Sequence, residues 1–595
     1  RHAVSSKGLF ATLAQPRIFG WLLFALAATQ SWWYALYGFG GSDEGQILVS
    51  ASRILRGAVF YQDIDAYPFP GSNYLLALAM AIFGEHMTVA RSLAGMVYVG
   101  IVVTLYFTSL RLLDEKRAAI FGVSLLGCKM LAWPAYTSYF YWDVSLLAAS
   151  VATLLLLGLL DPKITSAGSS ERARLLGMGA ATGFAFISKQ SIGIYLGMAI
   201  TAVLVLRHIA EPRGAKNEDA DAPSGLRAIV APFGPLILGF SAVVLPMVLY
   251  FAAKGLLGQM IYSGLIRPFT DYADTSGISF SKPLRWWEFG ELQGKKLFFY
   301  YPVVYWRVLS KQLIPGSPEA FTTYWVIGEV FIRWVYTSLP LIFGTAAFIC
   351  ARSWSKLSDR TNLRFVAVTL IAAAITASAF PRADFTHIIG IYSIVLLLMF
   401  ACLGRLAGLD GEATSKTRFY RKFELAVATV FALTFFGFSY AHHTAMTTHI
   451  VLPTADLMVL PQDGYYASVV KYVRDEIPED TPFFIYGHEA HYYFLTQRFS
   501  SWKFSQLYPG QDGGDDGQAL TDMLKKAPPK VIIQGFLNFP GLPNLQNYTP
   551  ILNDYLRANY ELDERVFERY PPVTGGHPSP YWIQMKRLKT GDALQ

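Results

Sequence analysis

The chain has 595 residues, of which 53% are hydrophobic and only 15% are charged, and its mean hydropathy is +0.33. Because soluble proteins carry about a quarter charged residues, this composition excludes an ordinary soluble protein. The formal net charge of +8 does not indicate nucleic-acid binding, since the basic residues cluster in short loops between apolar runs. The cysteines (Cys128, Cys350 and Cys402) match neither a disulfide framework nor the spacing of metal ligands.

Apolar runs follow one another along the chain, and several exceed the roughly 20 residues that cross a bilayer. The first run is not followed by a small-residue cleavage site, so it predicts a retained helix rather than a removed signal peptide. We therefore predict a polytopic α-helical membrane protein with about 11 transmembrane helices. The runs fall at about 18–38, 87–110, 118–133, 142–160, 175–189, 190–206, 228–253, 326–350, 365–380, 386–404 and 423–441.

Basic residues in alternate loops predict the orientation of these helices, because loops rich in lysine and arginine stay in the cytoplasm. These residues are Arg111, Lys116, Arg117, Lys163, Arg172, Arg174, Arg207, Arg213, Lys216, Arg227, Arg352, Lys356, Arg360, Arg364, Arg405, Lys416, Arg418, Arg421 and Lys422. Segments 39–86, 254–325 and 381–385, the turn near Lys189, and the chain after about 442 then share the extracytoplasmic side.

The composition changes near residue 442, so we divide the chain into a transmembrane catalytic domain (1–441) and an extracytoplasmic domain (442–595). In the second part, helix-like "DGYYASVVKYVRDEI" and "HEAHYYFLTQR" alternate with strand-like "PFFIYG", "PPKVIIQGF" and "YWIQMKR". This alternation predicts a small α/β domain. The acidic stretch 509–518 reads as an exposed loop, because its aspartate spacing does not match an EF-hand.

The first outer segment contains "SDEGQ", followed by a predicted amphipathic surface helix from Glu44 to Arg56, with Gly57 as the residue after its end. Ser42 or Asp43 is expected to cap this helix. Capping alone does not account for the acids and aromatic rings that follow. Carboxylates bind sugar hydroxyls and rings stack on sugar faces, so this segment favours a carbohydrate site; these residues are Tyr61, Asp63, Asp65, Tyr67 and Phe69.

The pattern "DEG…ILRGAVFYQDI…P.P…LLALAMAIFGEHMTVAR" resembles the first outer loop of C-type superfamily membrane glycosyltransferases, such as protein O-mannosyltransferases and lipid A aminoarabinose transferases. Its matching elements are Asp43-Glu44, Gly57, Tyr61, Asp63, Pro68, Pro70, Phe83-Gly84 and Arg91. With the "SKQ" turn and the outer α/β tail, the resemblance covers most of the chain.

This resemblance implies transfer of a sugar from a polyprenyl-phosphate donor to a lipid, glycan or protein acceptor on the outer face of the membrane, with Asp43 as the general base. An inverting reaction needs a carboxylate that takes the proton of the acceptor hydroxyl. A helix N-terminus would keep that carboxylate ionised. Glu44 either orients the acceptor or pairs with Arg53 or Arg56.

The lipid phosphate that leaves needs cations at the outer interface. Lys189 falls between two back-to-back spans and is the first candidate, with Gln190 as a neighbouring donor; interfacial snorkelling is the alternative. Arg267 is a second candidate. In "FPRADFTHIIG", Arg382 is a third, and Asp384 and His387 stand one turn apart to orient it or the acceptor; the alternative is a polar outer turn.

Two further motifs are assigned no chemistry. "RWWE" (285–288) reads as interfacial aromatic residues. The histidines of "HEAH" (488–491) lack the four-residue offset of a zincin helix. We expect no metal or other cofactor, and dependence on a divalent metal ion stays the open alternative.

Other functions for this architecture are a transporter or flippase of lipid-linked sugars and a polymerase or ligase of surface polysaccharide. A transporter should show paired inverted repeats with broken helices near the midplane, whereas the polar residues here crowd the outer face, which favours an enzyme. The expected location is a bacterial inner membrane with the active site outside.

Overall fold

The structure is a computed structural model that describes most of the chain. The described ranges are 15–40, 42–132, 138–161, 169–210, 230–290, 319–408, 415–511, 513–535, 544–572 and 583–589. The predicted loop residues Lys163, Arg213, Lys216 and Arg227 lie outside them, as do residues 291–318 of the predicted segment 254–325.

Long helices form the membrane part, and each of the eleven predicted apolar runs coincides with a helix. Together with four further helices of the described ranges that match no predicted run (α2, α3, α10 and α11), the helices of this part are, in chain order, α1 (Pro16–Tyr34), α2 (Ser42–Leu55), α3 (Gly71–Phe83), α4 (Met87–Ser109), α5 (Glu115–Cys128), α6 (Tyr141–Leu159), α7 (Ser169–Ser188), α8 (Gln190–Ala210), α9 (Phe233–Ala253), α10 (Leu257–Ile261), α11 (Asp271–Ser276), α12 (Glu319–Ser353), α13 (Arg360–Ala377), α14 (Phe385–Gly408) and α15 (Ser415–Ala445).

Within the described residues, eight helices are long and apolar enough to cross a membrane: α4, α6, α8, α9 and α12 to α15. The predicted runs in α1, α5 and α7 do not reach that criterion. Helix α5, for example, has only 14 residues before a 3₁₀ turn at Lys129–Ala132. The prediction of a polytopic helical membrane protein is confirmed, whereas the number of spans stays a prediction.

Glycines allow helices α7 and α9 to pack closely on each other. A Cβ atom on Gly179 of α7 would lie 2.0 Å from the carbonyl oxygen of Leu236, and one on Gly239 of α9 would lie 2.0 Å from that of Leu176. Small residues of this kind let helix backbones approach in a membrane protein. Helix α7 therefore packs closely on α9 along the middle of the helix.

The C-terminal part forms the predicted α/β domain. Its helices are α16 (Tyr465–Glu476), α17 (His491–Thr496), α18 (Gln518–Lys526), α19 (Leu545–Tyr548), α20 (Pro550–Asn559) and α21 (Arg565–Arg569). Its strands are β1 (Thr448–Leu452), β2 (Ala455–Val459), β3 (Phe484–Tyr486), β4 (Val531–Gly535), β5 (Tyr560–Leu562) and β6 (Ile583–Leu588). Strands β1 and β2 form an antiparallel pair, and the other four form a sheet in the order β3-β4-β6-β5 in which only β3 and β4 pair in parallel.

Helix α2 joins the two parts of the molecule. A Cβ atom on Gly45 would lie 2.2 Å from the backbone nitrogen of His491, so the start of α2 lies directly against α17. The backbone of Met87 also donates to the carbonyl of Thr454 at 2.8 Å. The C-terminal domain therefore covers the segment that carries the Asp43-Glu44 pair.

Candidate active site

One cavity, with a volume of about 240 Å³, collects polar residues from segments that are far apart in sequence. Its polar and aromatic lining includes Asp43, Gln46, Tyr67, Tyr141, Trp142, Lys189, Gln190, Tyr272, Arg382, Asp384, His387, Gln506, Tyr508 and Gln511. Apolar side chains such as Ile194, Leu265 and Phe269 complete the wall. The arrangement offers a carboxylate, cations and an apolar surface to one ligand.

Asp43 lies in the first turn of α2, because the helix begins at Ser42. The expectation that Asp43 caps a helix starting at Glu44 is therefore wrong by this boundary, although a first-turn carboxylate still faces the positive end of the helix dipole. Burial raises the pKa of Asp43 above its ordinary value, and the charges of Arg382 and His387 oppose this shift. Asp43 is thus a carboxylate with increased proton affinity on the wall of the cavity.

Lys189 occupies the turn between α7 and α8 and lines the same cavity. Its Nζ lies 5.7 Å from the centre of the Trp142 ring. Burial lowers the pKa of Lys189 to about 8, against the opposing charge of Asp384. An ammonium group that the surrounding protein stabilises poorly is suited to binding an anion.

Arg382, Asp384 and His387 form a cluster at the start of α14. Arg382 Nε donates to Asp384 Oδ2 at 2.6 Å, and His387 Nδ1 lies 2.7 Å from Asp384 Oδ1. Burial alone would raise the pKa of Asp384, but His387 and Arg382 together bring it below its ordinary value. The His387 ring also meets the Trp142 ring edge to face at 4.6 Å. The Asp384 carboxylate thus orients both neighbours on the cavity wall.

Glu44 lies outside the cavity lining. Its carboxylate accepts from Arg91 Nε and Nη2 at 2.8 and 2.9 Å, and from the backbone of Gly40 at 2.7 Å. The alternative in which Glu44 pairs with Arg53 or Arg56 is therefore wrong. Arg53 instead donates to backbone carbonyls, and Arg56 pairs with Glu85.

Gln190 and Tyr67 both line the cavity, but the Gln190 side chain is hydrogen-bonded to backbone groups of the protein. Its amide donates to the carbonyls of Tyr67 and Gly264, and its oxygen accepts from the backbone of Phe69. This pattern places Gln190 as a support for the Tyr67 segment.

Arg267 does not line the cavity. Its guanidinium lies 3.5 Å from Asp65 Oδ2, donates to the carbonyl of Gly510 at 2.7 Å and stacks over the rings of Tyr67 and Phe504. Arg267 thus joins the segment between α2 and α3 to the C-terminal domain next to the cavity.

Tyr61 and Asp63 also lie outside the cavity. Tyr61 is buried, with its ring 5.0 Å from that of Phe251. Asp63 accepts from the backbone of Val59 at 2.7 Å and so closes its own turn. Of the three aromatic residues predicted to stack on sugar (Tyr61, Tyr67 and Phe69), only Tyr67 lines the cavity.

The structure also brings to the cavity residues that the sequence patterns did not single out: Gln46, Tyr141, Trp142, Tyr272, Gln506, Tyr508 and Gln511. Gln46 follows Asp43 by one helical turn, a spacing visible in the sequence. The remaining residues come from α6, α11 and the C-terminal domain, and no local motif marks them.

The "HEAH" histidines are buried, and burial lowers the pKa of His488 to about 3 and that of His491 to about 4. The His491 ring stacks on that of Phe39 at 5.6 Å. Across the described residues, no group of three or more histidines, cysteines or acids is arranged to hold a metal ion.

Comparisons with known proteins found one matching family model and solved structures of similar fold. Residues 67–218 match the family model described as dolichyl-phosphate-mannose-protein mannosyltransferase. The fold resembles the crystal structure of ArnT from Cupriavidus metallidurans bound to undecaprenyl phosphate, with a TM-score of 0.55 and 12% identity over 97% of this chain and 99% of that chain. The apo state of the same protein gives 0.56 and 12% over 96% and 98%. No curated protein matches the chain significantly in sequence.

Proposed function

We propose that this protein, a membrane glycosyltransferase with the fold of the C-type superfamily, transfers a sugar from a polyprenyl-phosphate donor to the hydroxyl group of an acceptor. Asp43 acts as the general base, and Lys189 and Arg382 bind the donor phosphate. The reaction inverts the anomeric carbon and takes place on the outer face of a bacterial inner membrane. The acceptor is a lipid, a glycan or a protein.

The observation that carries this proposal is the shared cavity of Asp43, Lys189 and Arg382. These residues span more than 300 positions of the chain, yet they bring one carboxylate and two cations to the same cavity. An apolar surface next to the cations suits a lipid-linked phosphate, and the Tyr67 and Trp142 rings suit a sugar face.

The chemistry follows from the charges. The acceptor oxygen attacks the anomeric carbon while the bond from that carbon to the phosphate oxygen breaks. The proton of the acceptor hydroxyl passes to Asp43, which general-base catalysis requires to lie within hydrogen-bond reach of it. Lys189 and Arg382 stabilise the negative charge that develops on the leaving phosphate. Asp384 and His387 hold Arg382 in place.

Two of the residues predicted for the site take other roles in this proposal. Glu44 supports α2 through Arg91 rather than touching substrate, and Arg267 supports the cavity wall rather than the phosphate. The proposed reaction uses no metal, because the side-chain cations supply the positive charge.

The test uses membranes that contain the protein and a panel of radiolabelled polyprenyl-phosphate sugars. We expect label to move from the donor into lipid, glycan or protein, and Asp43→Asn to abolish this transfer while the protein level is unchanged. Asp456→Asn is the matched control, since Asp456 is exposed in β2 and lies outside the cavity. Transfer at the wild-type rate in Asp43→Asn would overturn the assignment of the base.

A further inference from the structure

A glutamine of the C-terminal domain contacts the carboxylate-bearing face of α2. Gln506 is buried and lines the cavity. Its Nε2 donates to Gln46 Oε1 at 2.8 Å, and Asp43 lines the same cavity; the Gln506 amide lowers the pKa of Asp43, against the larger effect of burial. Asp43 and Gln46 are three residues apart on one helix face, so the amide that binds Gln46 lies on the Asp43 side of α2.

The segment that carries Gln506 is held from several sides. Arg53 of α2 donates to the carbonyl of Trp502 at 2.9 Å, and the backbone of Asp65 donates to that of Lys503 at 3.1 Å. From the C-terminal domain, Tyr548 donates to the carbonyl of Leu507 at 2.6 Å. The position of the amide is therefore determined by both parts of the molecule.

The oxygen atom of the same amide provides a second observation. Gln506 Oε1 is buried and finds no hydrogen-bond partner among the described residues. A buried acceptor left unpaired is unfavourable, so stability alone does not account for a glutamine here. The N–H groups are therefore the part of the amide that makes contacts.

We propose that Gln506 is a positioning residue for Asp43: its amide fixes the carboxylate on the cavity wall and stabilises the ionised form, so that the C-terminal domain completes the site. The role of Asp43 as a base in this inference rests on the proposed function. The contact itself is testable without any sugar transfer.

The first experiment measures the protonation of Asp43 directly in the full-length protein in detergent. Dicyclohexylcarbodiimide reacts with protonated carboxyl groups, and mass spectrometry of the Asp43 peptide gives the extent of reaction at each pH. Gln506→Met keeps the side-chain length and removes the hydrogen-bond donor. In this variant we expect the pH midpoint of Asp43 labelling to rise by about one unit. Gln534→Met is the matched control, since Gln534 is also buried with an unpartnered oxygen but lies on β4 outside the cavity lining.

The other charged and titratable groups around Asp43 remain in both variants, so they do not produce the difference. They are Arg382, His387, Asp384, Tyr141 and Tyr272. A second variant, Gln506→Glu, keeps the shape and polarity, and it also raises the midpoint because two carboxylates then face each other. An unchanged midpoint in a folded Gln506 variant would overturn the inference.

The second experiment follows sugar transfer in the same proteins. We expect the acid limb of the pH–rate profile in Gln506→Met to move up with the midpoint, while Gln534→Met follows the wild type. If the midpoint moves but the wild type transfers no sugar from any donor, the proposed function fails and the Gln506 contact stands. If the wild type transfers sugar and Gln506→Met leaves both the midpoint and the acid limb unchanged, Gln506 does not position the base.

Discussion

Glu44 and Arg91 form a bidentate ion pair, with distances of 2.8 and 2.9 Å from Glu44 oxygens to Arg91 Nε and Nη2. Arg91 also donates to the carbonyls of Ala35 and Gly38. The pair therefore ties the start of α2 to α4 and to the chain that precedes α2. Of the two adjacent acids, one supports the helix and its neighbour faces the cavity.

Removal of one partner of this pair should destabilise the fold. Glu44→Gln leaves the Arg91 charge buried without a counter-charge, which costs about 3–5 kcal/mol in comparable pairs. We expect a clearly lower unfolding temperature of the detergent-solubilised protein. Arg56→Gln is the control, because the exposed Arg56–Glu85 pair should contribute only about 0–1 kcal/mol. Equal stability of Glu44→Gln and the wild type would contradict this role.

The pH dependence of transfer should have two limbs. Burial raises the pKa of Asp43, so the base form is lost on acidification at a higher pH than for an ordinary aspartate. Burial lowers the pKa of Lys189 to about 8, so its positive charge is lost as the pH rises through that value. We expect Lys189→Arg to extend activity to higher pH, since a guanidinium stays charged. An alkaline limb that does not move in Lys189→Arg would assign it to another group.

Loss of the Lys189 cation should weaken donor binding more than it slows acceptor use. Hydrogen bonds to charged groups are worth about 1.5–3 kcal/mol, so Lys189→Ala should raise the KM for the donor by roughly tenfold to a hundredfold. Lys254→Ala, at an exposed lysine beyond the end of α9, should leave it unchanged. Donor titrations at fixed acceptor concentration measure both values. An unaltered donor KM in Lys189→Ala would remove Lys189 from the phosphate site.

Chelators should leave transfer unaffected, because Lys189 and Arg382 supply the positive charge for the leaving phosphate in the proposed reaction. The measurement is the rate in membranes washed with EDTA, with and without added Mg²⁺ or Mn²⁺. A loss of activity that a divalent cation restores would show that the side-chain cations are insufficient.

Gly45→Ala should disturb the docking of the C-terminal domain on α2. The added Cβ would lie 2.2 Å from the backbone nitrogen of His491, which no side-chain movement relieves. Overpacking of this kind costs about 1–3 kcal/mol, and the displaced domain should also reduce transfer. Gly258→Ala is the matched control, since nothing lies within 4 Å of a Cβ there. Unfolding temperature and transfer rate that stay at wild-type values in Gly45→Ala would show that the domains are not coupled here.

Local patterns predicted much of this architecture because hydrophobic spacing acts over short distances. The apolar runs became helices, and "PFFIYG" and "PPKVIIQGF" contain β3 and β4 of a mixed sheet. The β1–β2 pair and β5 were not predicted, since short strands carry little periodic signal. The first residue of α2 was also placed too late, as helix ends depend on neighbouring contacts.

The sequence by itself determined the membrane class, the acidic segment that follows the first apolar run and the cations available to it, because charge and hydropathy are properties of the residues. Only the tertiary structure decided which of those groups meet. It brought Lys189 and Arg382 to the cavity of Asp43, and it assigned Glu44 to Arg91 and Arg267 to Asp65. It also brought Gln506 from the C-terminal domain to the site. Contacts between distant segments depend on how helices and domains pack, and no local pattern encodes that packing.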